Sequence, residues 1–168
     1  MADKQIDERF KALYPRLYEL YGKGVGLLAD ELMRLAEALD GGHYGLADDP
    51  DAAARLLAEA AGKGHALAMV EMMARAMERD GDLSSEAVRW MQAAAATGEV
   101  ETVFSLGIAR ITGQGGVEID VADGWRLIEI AADRSHPEAC FQLAADWLKG
   151  GNRPANPVRA KYFELAAL

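Results

Sequence analysis

Three histidines, one cysteine, a run of aspartates and a glycine-rich tetrapeptide are the residues of this 168-residue chain whose types allow chemistry. His43, His65 and His136 fall in three separate inter-helix turns, and no two are spaced to share a helix face. A structural zinc site needs four convergent nitrogen or sulfur ligands, so this set does not predict one. Asp48, Asp49 and Asp51 lack the ligand spacing of a calcium loop; beside Pro50 they read as the acids that favour a helix start. Gly113-Gln114-Gly115-Gly116 has the composition of a phosphate cradle. Such a cradle joins a strand to a helix and often carries a lysine, whereas helical patterns flank this one on both sides. It reads as a turn. Ser84, Ser85, Ser105 and Ser135 have no histidine placed to act as their base. Cys140 is the single cysteine, which excludes an internal disulfide. Within Ala139-Cys140-Phe141 it reads as a small buried hydrophobe. The expectation is a chain that is not an enzyme and that holds no metal and no cofactor.

Charge narrows the partners. Lys and Arg number 18 against 27 Asp and Glu, a formal charge of −9. Nucleic acid recognition needs cations to neutralise phosphates, and an anionic membrane attracts them too, so both are disfavoured. A basic protein surface suits this balance. The first residues, MADKQIDERFKALY, are charged where a leader peptide needs an apolar core, and no run approaches a membrane span. The expected location is cytoplasmic.

Alanine leads an apolar fraction of 51% with few β-branched residues, a composition that favours helices. An apolar face runs from Ile6 and Phe10 through Leu13, Leu17 and Leu20, with Tyr14, Tyr18 and Tyr21 alongside. Pro15 inside it marks either a kink or the start of a second segment. Further helices are predicted over 25–39, 52–61 and 66–78, then one capped by Ser84 or Ser85 and closed by Thr97-Gly98, then over 100–111, 121–132, 137–148 and roughly 157–168.

These helices repeat. Ala60-Ala61, Ala94-Ala95, Ala131-Ala132 and Ala166-Ala167 follow one another at 34, 37 and 35 residues. Four residues before each pair stands Leu56, Trp90, Leu127 or Tyr162, and eight after the first three come Ala68, Thr102 and Ala139. A two-helix unit with a period in the mid-thirties is the signature of an α/α solenoid, whose units bury their apolar faces only by stacking.

Leu106-Gly107, then Gly116-Val117-Glu118-Ile119-Asp120, then Ala131-Ala132 carry a more specific pattern, and Ala87-x2-Trp90 with Ala94 to Gly98 carries it second best. The pattern resembles the Sel-one-like repeat family, relatives of the tetratricopeptide repeats. It covers about residues 16–168. The tyrosine that follows Leu-Gly in the family is replaced here by Ala76, Arg110 and Trp147, and the third turn is one residue longer. The resemblance implies an all-α fold, a right-handed α/α superhelical solenoid of about four helix-turn-helix repeats behind an N-terminal helix. The expected organisation is one domain, with a cap at 1–24 and units at 25–64, 65–98, 99–136 and 137–168.

It also implies a concave side lined by the first helix of each pair. Val70, Ala74, Met77, Phe104, Ile108, Ile111, Phe141, Ala145 and Leu148 would face that groove, rimmed by Glu71, Glu78, Glu101 and Asp146. The competing expectation buries these apolar side chains as core. A groove of this kind fits a partner segment that is apolar and basic. The implied function is protein–protein interaction, as a bacterial immunity protein neutralising a cognate toxin or, alternatively, as an adaptor in signalling or secretion. An enzyme with an unrecognised site is the remote third reading. Leu165 and Leu168 on the last helix suggest a homodimer contact through the C-terminal end.

Overall fold

The computed structural model describes residues 2–81, 83–151 and 154–166. Among them are nine α-helices and no strand: α1 (Ala2–Gly22), α2 (Ala29–Leu39), α3 (Pro50–Gly62), α4 (Ala66–Asp80), α5 (Ser85–Thr97), α6 (Val100–Thr112), α7 (Val121–Asp133), α8 (Pro137–Lys149) and α9 (Pro157–Ala166). The side chains of Ile6, Phe10 and Tyr162, together with Ala167 and Leu168, lie outside the described residues. The chain divides into two compact units, Met1–Met72 and Met73–Leu168, with the boundary inside α4.

In the first unit α1 continues through Pro15 as one helix, so the proline interrupts a hydrogen bond without starting a new segment. Residues 25–28 stay out of α2, contrary to the sequence expectation. Leu28 has no polar side chain to cap the helix; instead the Glu31 carboxylate reaches back and accepts from the Leu28 N–H at 2.8 Å. Leu32, Leu35 and Leu39 form one face of α2 and pack on α3, where Leu56, Leu57, Ala60 and Ala61 are equally buried. Each leucine removed from water contributes about 1.5–3 kcal/mol. Asp49 opens α3, its carboxylate accepting from the Ala52 N–H at 2.9 Å, while Asp48 accepts from the Gly41 N–H at 3.0 Å. The aspartate run therefore builds a loop and a helix start. Tyr14 is buried and stacks on Tyr44, ring centres 4.8 Å apart.

In the second unit the tightest crossing is α6 on α7. A Cβ on Gly107 would stand 2.9 Å from the Gly124 carbonyl oxygen, and one on Gly124 would stand 2.7 Å from that of Gly107. The Leu-Gly of the repeat is thus a contact that only glycine permits. The turn between these helices is ordered by packing. Gly115 has φ +65°, and a Cβ there would lie 2.6 Å from the Val88 side chain. Val117 is buried, the Asp120 N–H donates to the Arg110 carbonyl at 2.8 Å, and the Asp120 carboxylate caps α7 through the Asp123 N–H at 2.9 Å. Ser84, rather than Ser85, caps α5. The small residues that define the repeat lie at the centre: Ala94, Ala131, Thr102 and Ala139 are fully buried, as are Ala60 and Ala68 in the first unit.

Candidate protein-binding site

Two turns position the first helices of their repeats by the same device. Lys63-Gly64-His65 precedes α4, and Arg134-Ser135-His136 precedes α8. The middle residue of each has positive φ, +90° at Gly64 and +61° at Ser135. In the first turn Lys63 Nζ donates to the Leu27 carbonyl at 2.7 Å, and His65 Nε2 stands 3.4 Å from the Asp30 carboxylate. In the second, the Arg134 guanidinium donates to the Gly98 carbonyl, and His136 Nε2 lies 2.9 Å from Glu101. Both histidines also cap the helix they open: Nδ1 accepts from the Ala68 N–H at 3.1 Å and from the Ala139 N–H at 3.2 Å. An accepting Nδ1 carries no proton, so the ring hydrogen sits on Nε2; His136 donates it to Glu101, whereas His65 Nε2 only faces the Asp30 carboxylate.

The histidines that sequence reasoning set aside are therefore fasteners between successive repeats. The signal was available as periodicity rather than as ligand spacing. Lys63 to Arg134, His65 to His136, Leu27 to Gly98 and Asp30 to Glu101 are each 71 residues apart, two repeat lengths (136 − 65 and 101 − 30, for example).

The predicted groove residues divide into three groups. Met77, Phe104 and Ile108 meet in the second unit, where they line a depression of about 270 Å³ together with Met73, Leu83 and Met91. A second depression of about 370 Å³ shares Met77, Leu83 and Gln114 with it and extends to Gly115. Phe104, Ile108 and Ile111 are half-buried and pack on the core formed by Val103, Ile128, Ala131 and Leu143. Each turns one side to the core and leaves another accessible, so neither the groove expectation nor the core expectation describes them alone. On α8, Phe141 and Leu148 are 61% and 52% exposed, with Ala145 half-buried between them. Val70 and Ala74 are half-buried on α4, Val70 in the first unit.

The acidic rim needs correction at Asp146, which is buried at 8% exposure, with a carboxylate oxygen only 3.0 Å from where a Cβ on Gly151 would stand. Glu101 is exposed but engaged by His136, Glu71 is half-buried, and Glu78 is exposed on α4. Sequence spacing placed these carboxylates on one side of each helix; it did not reveal which were occupied in holding the fold. Cys140 is fully buried, its thiol donating to the Ala132 carbonyl at 3.6 Å, and burial with the nearby Asp133 charge pushes its pKa up. Leu165 is 60% exposed on α9.

Among the described residues no three His, Cys, Asp or Glu side chains converge as a metal site, and no helix is long and apolar enough to cross a membrane. What converges is mainly apolar: three methionine side chains, a phenylalanine, a leucine and an isoleucine, with Ser105 and Gln114, around an open depression. Flexible, polarisable methionine surfaces of this kind adapt to an inserted side chain.

Short helix pairs with small buried residues at fixed positions of the repeat define a helical-repeat fold. No family model matches the chain, and no curated protein matches it. Among solved structures it is similar to a Sel1 repeat protein from Oxalobacter formigenes, with TM-score 0.70 and 21% identity over 94% of this chain and 63% of that one. It is equally similar to c5321, a protective antigen of uropathogenic Escherichia coli strains displaying an SLR fold, with TM-score 0.70 and 22% identity over 92% of this chain and 32% of that one. This chain thus spans less than two thirds of either protein. Immunity protein Pa5087 from Pseudomonas aeruginosa, at TM-score 0.49 and 16% identity over 94% of this chain and 57% of that one, is too distant to carry an argument. The fold is the all-α Sel1-like repeat solenoid that the Leu-Gly, Gly-Val-x2-Asp and Ala-Ala positions implied.

Proposed function

We propose that this chain is a protein-binding module that takes an apolar anchor of its partner into the depression between Met77, Leu83, Phe104 and Ile108. The observation that carries this reading is the depression itself: six apolar side chains line it, and it stays open to solvent. Its volume, about 270 Å³, is at the small end for a small-molecule pocket and suits one or two inserted side chains. The charge of −9 favours a basic partner, because complementary fields accelerate encounter and discriminate against acidic competitors. Within this class the finer role is neutralisation of a cognate toxin by direct binding.

The experiment is affinity capture from the native host, run in parallel with a Met77→Lys chain. Recovery of one basic effector, lost with Met77→Lys while the thermal midpoint stays in place, supports both levels of the reading. Recovery of a set of signalling or secretion proteins through the same depression keeps the module and replaces immunity with an adaptor role. Partners retained by Met77→Lys overturn the site.

A further inference from the structure

The first unit holds a cavity of its own. It opens between the last turn of α1 and the first half of α3 and measures about 340 Å³. Leu56 and Ala52, both buried, form its floor. Tyr18 and Tyr21, half-buried on α1, form one wall. Gly22 keeps the mouth open, since a Cβ there would meet nothing within 4 Å. Both walls are helices of the first unit, so the opening is a seam between two described elements and not an end of the stack.

Its polar groups leave one cation over. The Tyr21 hydroxyl donates to the Glu59 carboxylate at 2.9 Å, and Lys63 Nζ lies 3.3 Å from the same side chain. Glu19, on the rim, is paired with Lys23. Each of these carboxylates therefore already has its lysine. Arg55 lines the cavity, is exposed, and makes no hydrogen bond or ion pair with any described residue. The Tyr18 hydroxyl likewise has no described partner. Two lysines and one arginine against two glutamates leave a local surplus of one positive charge, in a chain whose net charge is −9. The Tyr21 phenol registers that charge: the Glu59 hydrogen bond and burial push its pKa up, and Arg55 pulls it partly back.

We propose that this cavity is a binding site for a small aryl carboxylate, a free molecule with one aromatic ring and one carboxylate a few bonds away. The ring enters over Leu56 and Ala52 and packs on the tyrosine rings, where edge-to-face or offset contact adds to the burial. The carboxylate stays at the mouth and accepts a bidentate pair of N–H bonds from Arg55, and the Tyr18 hydroxyl donates a further one. Volume sets the size: about 340 Å³ lies at the small end for ligand cavities and suits one ring with its side chain. Surface chemistry sets the class. An apolar floor disfavours a sugar, whose hydroxyls would leave water without gaining partners, and a single surplus cation matches a single anion. The site shares no residue with the methionine-lined depression and does not depend on the function proposed for it.

The probe is hydrocinnamate, titrated into the isotope-labelled protein, with hydrocinnamamide as the uncharged control. Amide shifts locate the binding. The expected result is saturable binding with a Kd of about 1 mM or below that perturbs Tyr18 to Gly22 and Ala52 to Leu56. Arg55→Met in the protein, or the amide in place of the acid, weakens it about tenfold or more. Gly22→Phe, which sets a side chain in the mouth, abolishes it. Arg55 and Gly22 are exposed, and the glycine is not in the left-handed region, so thermal midpoints of both variants stay at the parent value. Four results overturn the proposal: no saturable shifts up to about 10 mM hydrocinnamate, equal affinity for acid and amide, binding indifferent to Arg55→Met, or shifts confined to the Met73–Phe104 depression. Tighter binding of a short peptide ending in phenylalanine would make a chain terminus the occupant, and would equally overturn it.

Discussion

Gly107 and Gly124 face each other across the α6–α7 crossing so closely that a methyl group on either would meet the other's carbonyl oxygen at 2.9 or 2.7 Å. Neither backbone can yield without moving its helix, since Ile128 stands at 3.0 Å behind the first position and Ile111 at 2.6 Å behind the second. Gly107→Ala and Gly124→Ala are each expected to destabilise by about 1–3 kcal/mol. Gly62→Ala is the control, at a helix end where an added Cβ meets nothing within 4 Å. Chemical denaturation of the three variants checks this; equal midpoints would dismiss the steric account.

His136 joins a helix cap, a ring stack on Phe104 and a tie to Glu101 in one side chain. His136→Ala is expected to cost about 1–2 kcal/mol, most of it from the lost cap. His136→Asn keeps a capping oxygen and recovers part of the loss, whereas Glu101→Gln changes stability by less than about 1 kcal/mol because that carboxylate is exposed. A double-mutant cycle on the pair reads the tie alone.

Phe104 and Phe141 occupy the same place in successive repeats and should respond oppositely. Phe104 packs on Val103 and Ile128, so Phe104→Asp is expected to lose about 3–5 kcal/mol. Phe141→Asp, on an exposed face, should stay within about 0.5 kcal/mol of the parent. Thermal melts of the two variants separate them.

Acid should weaken the second unit through Glu99. Its carboxylate caps α6; burial pushes its pKa up, but hydrogen bonds from Thr102 and the Glu101 amide outweigh this and hold it below the ordinary glutamate value. A group depressed in the folded state stabilises above its unfolded pKa, near 4.3, and loses that contribution as pH falls through the folded value. The thermal midpoint should therefore decline below about pH 4.3. Glu99→Gln should flatten part of that decline, and an unchanged acid limb in this variant would remove Glu99 from the account.

Cys140 combines full burial with a raised pKa, so a thiol reagent should label it only as fast as the unit opens. Reaction should be immediate in denaturant and slow in native buffer. Rapid native labelling would show that the α7–α8 contact opens locally.

Much of this fold was legible because repetition writes one physical requirement several times. Ala60, Ala94 and Ala131 are small where helices cross, and three occurrences at fixed spacing stand out against any single one. Gly124 was invisible for the complementary reason: it answers Gly107 from a helix whose other copies need no glycine there. The histidines show a different limit. His65 and His136 each act with a residue 35 positions earlier, a distance no local spacing rule inspects, and only the repeat register connects them. The site was partly hidden because burial splits single side chains. Periodicity puts Phe104, Ile108 and Phe141 on one line, but whether a neighbouring turn covers them depends on His136 being present over one and absent over the other.

The ties at Lys63–Leu27 and Arg134–Gly98 each bridge 36 residues. Each closes a helix pair into a loop, as a stitch gathers cloth. Pulled from its ends, the chain would have to part a stitch before the enclosed pair could extend, and each parting would release 36 residues at once, on the order of 120 Å of contour. The same chemistry that sets one helix beside the next would then appear as a mechanical quantum, with a sawtooth of equal steps in place of a gradual stretch.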